Sequence, residues 1–252
     1  MPSETNALSL KNVHVSYENL VVAEDISFDV KKGEMFGLIG INGAGKTSLI
    51  KSVIGLKERQ AGEIKIFDRK DLDQGSKKFF GYLPERFDPP WFLTGREFVK
   101  FTLSLYNIGF DESVLHEFCK DISLGEQFLG KRMTTYSKGM RQKLGLIATL
   151  MSDVELLILD EPMSGLDPLA RVNVKTLLNK AKEKGQTVFL SSHILADLDD
   201  MCDRIAILDN KKIRFVGTPS DLKHDYNTRN LEQAFLSLLR EGKRLNENGM
   251  VA

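Results

Sequence analysis

The sequence lacks an excess of charge of either sign, because 35 Lys and Arg residues balance 35 Asp and Glu residues. A balanced chain has no global basic field of the kind that nucleic-acid-binding proteins usually carry. The sequence also lacks an uninterrupted apolar run near the ~20 residues that a membrane-spanning helix needs. We therefore expect no nucleic-acid partner, and we expect any work at a membrane to go through another protein.

Cysteine is scarce, and the N-terminus is polar. Cys119 and Cys202 lie far apart with no motif around them, which predicts reduced core thiols of a cytosolic protein. The first residues, M-P-S-E-T-N, lack the apolar core of a signal peptide. The chain has 252 residues, of which 42% are hydrophobic, and this suits one large domain or two small lobes.

A phosphate-binding loop is the strongest motif in the chain. Residues 40–47 read G-I-N-G-A-G-K-T and match G-x-x-x-x-G-K-[ST] at every specified position. The apolar run 35–39 before it predicts a buried strand, and residues 47–56 have helical apolar spacing. In this context backbone N–H groups bind a nucleoside triphosphate, Lys46 contacts its outer phosphates, and Thr47 offers a hydroxyl to Mg²⁺. The alternative is a glycine-rich turn that binds nothing.

The rest of the chain predicts an α/β protein with a helical insert. Alternation of apolar and polar residues over 8–30, and a run at 62–67, indicate antiparallel strands. Residues 91–130 have a helical pattern, with an apolar stripe that includes Phe98, Phe101, Thr102 and Leu105. The later elements are strands at 155–159, 187–190, 204–208 and 212–216, the last two joined by a hairpin turn, and a short helix at 231–239.

Polar residues follow three of the predicted strands where each strand ends. Asp160 and Glu161 follow an almost continuous apolar run, His193 follows another, and the phosphate loop follows a third. In open parallel sheets, ligands bind beyond the carboxyl ends of the strands. We expect Asp160 to hold Mg²⁺, Glu161 to orient or deprotonate the attacking water, and His193 to hydrogen-bond the γ-phosphate. The alternatives are a strand end that faces solvent and an ordinary loop histidine.

A second helix start carries groups that can bind an anion. Residues 136–142 read Y-S-K-G-M-R-Q, and Ser137 stands at the expected N-cap position, close to Gly139. A serine hydroxyl and bare N–H groups at a helix start can bind an anion. By itself this motif favours the alternative, a capped helix without a ligand.

In their order along the chain, these motifs resemble those of the ABC transporter ATPases. Y-S-K-G-M-R-Q resembles the family signature, usually written L-S-G-G-Q. L-L-I-L-D-E precedes S-G-L-D at residues 164–167, and a histidine follows at residue 193. The resemblance covers residues 8–239. It implies an α/β fold, a P-loop NTPase core with a mixed, largely parallel sheet, an N-terminal antiparallel β subdomain and a helical insert.

The expected division of the chain follows from this resemblance. The ATP-binding α/β core with its antiparallel β subdomain would occupy residues 1–84 and 136–239. The helical subdomain would occupy residues 85–135, and residues 240–252 would form a flexible tail.

The resemblance also implies roles that the motifs alone leave open. Tyr17 would stack on adenine, with a cross-strand aromatic as the competing interpretation. Ser137 and Gly139 would contact the γ-phosphate bound to a second subunit, and Asp167 would lie at the subunit interface. In this family two subunits enclose two ATP molecules head to tail. The residues expected to hold ATP and Mg²⁺ in the loop are Gly40, Asn42, Gly43, Ala44, Gly45, Lys46, Thr47 and Ser48, and Lys46 is also counted as catalytic.

Three positions depart from the family pattern. Glu85 stands where a glutamine usually links the core to the insert, and a carboxylate can ligand Mg²⁺ but cannot donate as an amide can. We predict that Glu85 remains a metal and coupling contact. Lys138 replaces the second glycine of the signature, and Met140 replaces its glutamine. Because the Ser137–Gly139 pair remains, and Glu161 and His193 are both present, loss of hydrolysis is not expected.

The branch of the family is inferred from further resemblance. G-Y-L-P-E at 81–85, L-T-G-R-E-F at 93–98, the variant signature, and a chain end soon after 231–236 resemble small export ATPases with a separate permease. The resemblance implies an ATP-hydrolysing homodimer or heterodimer at the cytoplasmic face of the membrane. An integral-membrane permease would be its partner, for export of a drug, antibiotic, peptide or lipid-like substrate. The alternatives are a soluble ABC ATPase acting on nucleic acid or ribosomes and a non-catalytic nucleotide-binding regulator.

The aromatic residues of the insert could form a coupling surface for the permease or the core of the insert. We expect most of them to be core, because so small an insert must bury its apolar stripe. The segment 85–91 is the better candidate for a coupling groove. The aromatic residues concerned are Trp91, Phe92, Phe98, Phe101 and Tyr106.

Overall fold

A computed structural model of the chain describes residues 6–18, 20–67, 69–70 and 76–248. In chain order its strands and α-helices are β1 (Asn6–Tyr17), β2 (Leu20–Lys31), β3 (Met35–Ile39), α1 (Lys46–Val53), β4 (Ala61–Ile66), β5 (Arg69–Lys70), β6 (Phe80–Leu83), α2 (Gly95–Leu105), α3 (Glu112–Asp121), α4 (Lys138–Met151), β7 (Leu156–Asp160), α5 (Pro168–Glu183), β8 (Thr187–Ser192), α6 (Leu195–Met201), β9 (Arg204–Asp209), β10 (Lys212–Gly217), α7 (Pro219–Asp225) and α8 (Leu231–Asn248).

Two sheets organise these elements. The larger sheet has the order β10-β9-β3-β8-β7-β6, and its neighbours pair in parallel except for β10, which is antiparallel to β9. The smaller sheet has the order β2-β1-β4-β5 and is antiparallel. The predicted α/β fold, with a largely parallel sheet and an N-terminal antiparallel sheet, is confirmed.

The larger sheet is buried on both faces. In β7, Leu157 and Leu159 belong to the apolar cluster formed with helices α2 to α8, whereas Leu156 and Ile158 belong to the cluster formed with α1 and the antiparallel sheet. All four side chains are fully buried. Burial on both faces explains why the central strands are continuous apolar runs rather than alternating ones.

The apolar stripe predicted for the insert is wrong in register. Helix α2 begins with a Thr94–Glu97 capping box and buries Phe98 with its neighbours Val99 and Leu103. This face packs into the cluster that contains α4, and no described element covers the face that carries Phe101. Of the five aromatic residues expected to be mostly core, Phe98 is buried and Tyr106 half-buried, but three are exposed, namely Trp91, Phe92 and Phe101.

Two further elements differ from expectation. Strand β6 was not predicted, because it has only four residues and contains Gly81. Helix α8 continues to Asn248, so the tail expected from residue 240 begins inside a helix. Residues 249–252 lie outside the described residues, and the domain boundaries at 84/85 and 135/136 stay predictions.

Both cysteines are buried and free, as expected for core thiols. Burial raises the pKa of the Cys119 thiol to about 11.

No helix among the described residues is long and apolar enough to cross a membrane.

Close packing of α4 on β6 generates a test of how the insert joins the core. A Cβ atom at Gly145 would lie 2.8 Å from side-chain atoms of both Leu83 and Phe87, and Phe87 belongs to the segment that enters the insert. We expect Gly145→Ala to lower the free energy of unfolding by about 1–3 kcal/mol, measured by urea unfolding. The control is Gly139→Ala in the same helix, where the nearest atom would lie at 3.7 Å. The control should be neutral or slightly stabilising, and equal effects would contradict the packing argument.

Candidate functional site

The phosphate loop is a tight turn that only glycine can form at its critical position. Gly45, directly before α1, has φ 105°, and a Cβ there would lie 2.5 Å from the carbonyl oxygen of Val22. The loop opens a cavity of about 360 Å³ at the carboxyl edge of the larger sheet. The cavity is lined by Val22, Ile41, Asn42, Gly43, Ala44, Gly45, Lys46, Thr47, Ser48, Glu85, Glu161, Ser164 and His193.

Three predicted catalytic residues meet in this cavity. The Lys46 Nζ atom donates to the Gly40 carbonyl oxygen at 2.7 Å and lies 3.4 Å from Glu161 Oε1. His193 Nδ1 lies 2.8 Å from Glu161 Oε2 and acts as donor, since a carboxylate only accepts. Both side chains of the Lys46–Glu161 pair are 7% exposed. Glu161 is thus held between a cation and an imidazole at the end of β7.

The backbone at Glu161 is strained. Its φ of 50° lies in the left-handed region, which residues with a Cβ adopt at a cost. The Glu161 N–H donates to Ser191 Oγ at 3.0 Å, which holds the residue in this conformation. With this conformation the chain leaves the strand directly after Asp160, where β7 ends.

Asp160 offers a free oxygen at the same edge. Its side chain is fully buried, and Ser191 Oγ donates to Oδ1 at 2.6 Å. Oδ2 is also buried and has no hydrogen-bond partner among the described residues. A buried carboxylate oxygen without a donor is costly unless a cation or water approaches it, so the donor set fits Mg²⁺.

No group of three or more His, Cys, Asp or Glu side chains in the described part of the chain could hold a metal ion by itself. This agrees with Mg²⁺ sites in which one or two carboxylates and substrate phosphates share the ion. Thr47 and Glu85 line the same cavity as Glu161, the residue that follows Asp160 in the chain. The metal-ligand roles of these residues stay predictions.

Several expected site residues lie outside the cavity lining, among them Gly40, whose carbonyl oxygen accepts from Lys46, and the buried Asp160. The signature residues Ser137 and Gly139 and the interface residue Asp167 lie outside it as well. Ser137 caps α4 and accepts from the Met140 N–H at 3.2 Å. Asp167 caps α5, and the Ala170 N–H that it accepts lowers the pKa of its carboxyl group. The predicted contact of Ser137 and Gly139 with nucleotide, and the interface position of Asp167, stay predictions.

Tyr17 also lies outside the cavity lining, at the end of β1. It pairs with Leu20 on β2, and its ring is 42% exposed. The ammonium of Lys57 lies 4.3 Å from the ring centre. Tyr17 thus has the cross-strand position of the competing interpretation, but it is also exposed enough to stack on a base. Adenine stacking stays a prediction.

The comparison with protein-family models decides the family. The model described as ABC transporter matches residues 23–164, and a model described as AAA domain, putative AbiEii toxin, Type IV TA system matches residues 132–199. The chain belongs to the ABC transporter family. Its matched residues include the phosphate loop, the signature segment and the Asp160–Glu161 pair.

Known proteins agree with this assignment. An uncharacterised ABC transporter ATP-binding protein, sll0415 of Synechocystis, is 42% identical over 186 residues, which are 73% of this chain and 52% of that protein. The chain thus spans about half the length of that relative. The linearmycin resistance ATP-binding protein LnrL of Bacillus subtilis is 33% identical, over 85% of this chain and 70% of LnrL. A solved structure titled as the ATP binding subunit of an ABC transporter has a TM-score of 0.84 at 33% identity, covering 92% of this chain and 99% of that one.

No role was predicted for Ser191, whose hydroxyl donates to Asp160 and accepts from the Glu161 N–H. The signal was its place at the end of an apolar strand, next to Ser192. We expect Ser191→Ala to lower the free energy of unfolding by about 1–3 kcal/mol, because it leaves a buried N–H and a carboxylate oxygen unpaired. Ser192→Ala, which removes only the acceptor of the Ile194 N–H, should cost less. Urea unfolding of both variants measures the difference, and a larger loss for Ser192→Ala would contradict the assignment.

Proposed function

We propose that this chain is the ATP-binding and ATP-hydrolysing subunit of an ABC transporter and powers export through a separate membrane permease. One observation carries the proposal: Lys46 and His193 both contact Glu161 in the cavity that the phosphate loop lines. These residues provide a phosphate-binding cation, a base and an orienting imidazole, with the base between the other two.

In the structure, Glu161 neutralises Lys46. The phosphates of ATP would compete for the same ammonium, which also has backbone contact to Gly40. Lys46 would then bind the outer phosphates, and Glu161 would accept a proton from the water that attacks the γ-phosphate in line. His193 would hold the Glu161 carboxylate in position. The products are ADP and inorganic phosphate.

Mg²⁺, when bound, would neutralise negative charge on the phosphates. The residues proposed to hold it are Asp160, Thr47 and Glu85, of which Thr47 and Glu85 line the cavity. Asp160 is the best supported of the three, since its Oδ2 atom is buried without a hydrogen-bond partner among the described residues.

A second subunit is proposed because the signature segment lies outside this chain's own cavity lining. Ser137 and Gly139 would approach the γ-phosphate held by the partner, with Asp167 at the interface. Leu169 and Val172, near the start of α5, are exposed apolar residues beside Asp167 and suit such an interface. Isologous pairing of the same surface on both subunits would close both sites together.

A permease partner is supported by the surface that joins the core to the insert. A groove of about 230 Å³ is lined by Glu85, Arg86, Phe87, Asp88, Lys138, Arg141 and Gln142. Within it, the Gln142 Nε2 atom is buried and lacks a partner among the described residues. Trp91 and Phe92 lie exposed just beyond this segment. The name of LnrL, a linearmycin resistance ATP-binding protein, supports the proposal of an antibiotic-like substrate. A permease partner would place the chain at the cytoplasmic face of the membrane.

The role of Glu161 has a direct test in Glu161→Gln. We expect ATPase activity, measured as phosphate release, to fall by about 10²–10⁴-fold, because an amide cannot accept the proton. ATP binding should persist, and a closed dimer should accumulate with ATP in light scattering. The control is Glu155→Gln, which changes an exposed carboxylate before β7 paired with Lys32. Full activity in Glu161→Gln would refute the proposed base.

The role of Glu85 is tested by Glu85→Gln. We expect the Mg²⁺ concentration for half-maximal ATPase activity to change, because an anionic oxygen in the cavity becomes neutral. The matched control is Asp88→Asn, which makes the same change in charge at an exposed residue that contacts Arg141. If Glu85→Gln leaves both the ATPase rate and the Mg²⁺ dependence unchanged, Glu85 has no role at the metal.

A further inference from the structure

Two buried oxygen atoms without partners lie on neighbouring strands at the candidate site. They are the Tyr82 hydroxyl on β6 and Asp160 Oδ2 on β7, and neither has a hydrogen-bond partner among the described residues. Buried polar atoms are rarely left unpaired, so each unpaired atom points to a group that binds there. Tyr82 has no part in the mechanism above, nor does the phosphate-loop motif include it.

The sheet register places both side chains on one face. Tyr82 pairs with Ile158, and Asp160 is two residues beyond Ile158 on the same strand. Because side chains alternate along a strand, Tyr82, Ile158 and Asp160 share a face. Tyr82 packs against the apolar cluster that contains Ile158, which agrees with its place on this face of the sheet.

Electrostatics link the hydroxyl to the metal edge of the cavity. Burial raises the pKa of Tyr82, and the negative charges of Asp160 and Glu85 raise it further. The hydroxyl therefore stays protonated and acts as a donor. The hydroxyl is close enough to feel both charges, yet it has no hydrogen bond to either carboxylate among the described residues, so its proton remains available to donate.

We propose that Tyr82 is a positioning residue of the Mg²⁺ site, whose hydroxyl donates a hydrogen bond to a metal-bound water that also contacts Asp160. The proposal rests on the proposed ATP–Mg²⁺ function. Mg²⁺ usually keeps several of its waters in proteins, and these waters need oriented partners. Residues that hold such waters or ligands from outside tune metal affinity by about 10–100-fold.

The test compares Tyr82→Phe with Tyr106→Phe in the full-length chain. Tyr106 is the control because its hydroxyl already donates to the Phe80 carbonyl oxygen of the same strand, at 3.2 Å. The probe is the β,γ-imido analogue of ATP, which is not hydrolysed, with EDTA or with increasing MgCl₂. The readouts are the thermal midpoint and the Mg²⁺ concentration that gives half of the Mg²⁺-dependent stabilisation.

For Tyr82→Phe we expect an unchanged or higher midpoint without ligand, since the variant removes an unpaired buried hydroxyl. The half-saturating Mg²⁺ concentration should rise about 10–100-fold, while analogue binding in EDTA stays unchanged. Tyr106→Phe should show the reverse: a lower midpoint without ligand and an unchanged Mg²⁺ requirement.

The inference is overturned if Tyr82→Phe leaves the Mg²⁺ requirement unchanged, and a lower midpoint without ligand would then show that the hydroxyl is structural. It is also overturned if analogue binding falls equally in EDTA and in Mg²⁺. The proposed function itself fails in a different way, since the unsubstituted chain would then show no Mg²⁺-dependent stabilisation by the analogue, and the inference would fail with it.

Discussion

The buried ion pair between Lys46 and Glu161 is the interaction on which the rest of the site depends. Removing two charges from water is costly, and the attraction between them offsets that cost only where further hydrogen bonds hold both partners. Lys46 has the Gly40 carbonyl, and Glu161 has His193 and its backbone bond to Ser191. In the proposed function, the pair would keep the base occupied until phosphate competes for the lysine. Without nucleotide, the proposed base is thus bound to the residue that is meant to recognise nucleotide.

This pairing is possible because β3, β8 and β7 are consecutive neighbours in a parallel sheet. Their carboxyl ends deliver the phosphate loop, His193 and Glu161 to one edge, although these segments are far apart in sequence. Ser191 then joins two of the strands by bonding Asp160 and the Glu161 backbone.

Much of this arrangement could be predicted from the sequence, because continuous apolar strands followed by polar residues have few structural solutions. The Met35–Ile39 strand and the convergence of Lys46, Glu161 and His193 follow from that pattern. Strand β6 could not be predicted, because four residues that include a glycine give no periodic signal. The role proposed for Tyr82, which lies on this strand, could not be predicted for the same reason. The exposed face of α2 was also missed, because Phe101 fits the helical stripe as well as Phe98 does, and only the packing against α4 decides between them.

The two charged departures from the family pattern meet in one place. Glu85 adds a negative charge to the cavity that Glu161 and Lys46 also line, next to the buried carboxylate of Asp160. Lys138 adds a positive charge to the signature segment, and it lines the groove that Glu85 also lines. An anionic side chain in the cavity disfavours a triphosphate unless cations compensate, so we expect Glu85 to make nucleotide binding more dependent on Mg²⁺. Lys138 brings the opposite charge to the groove that both residues line, and this is where compensation between the two departures is expected.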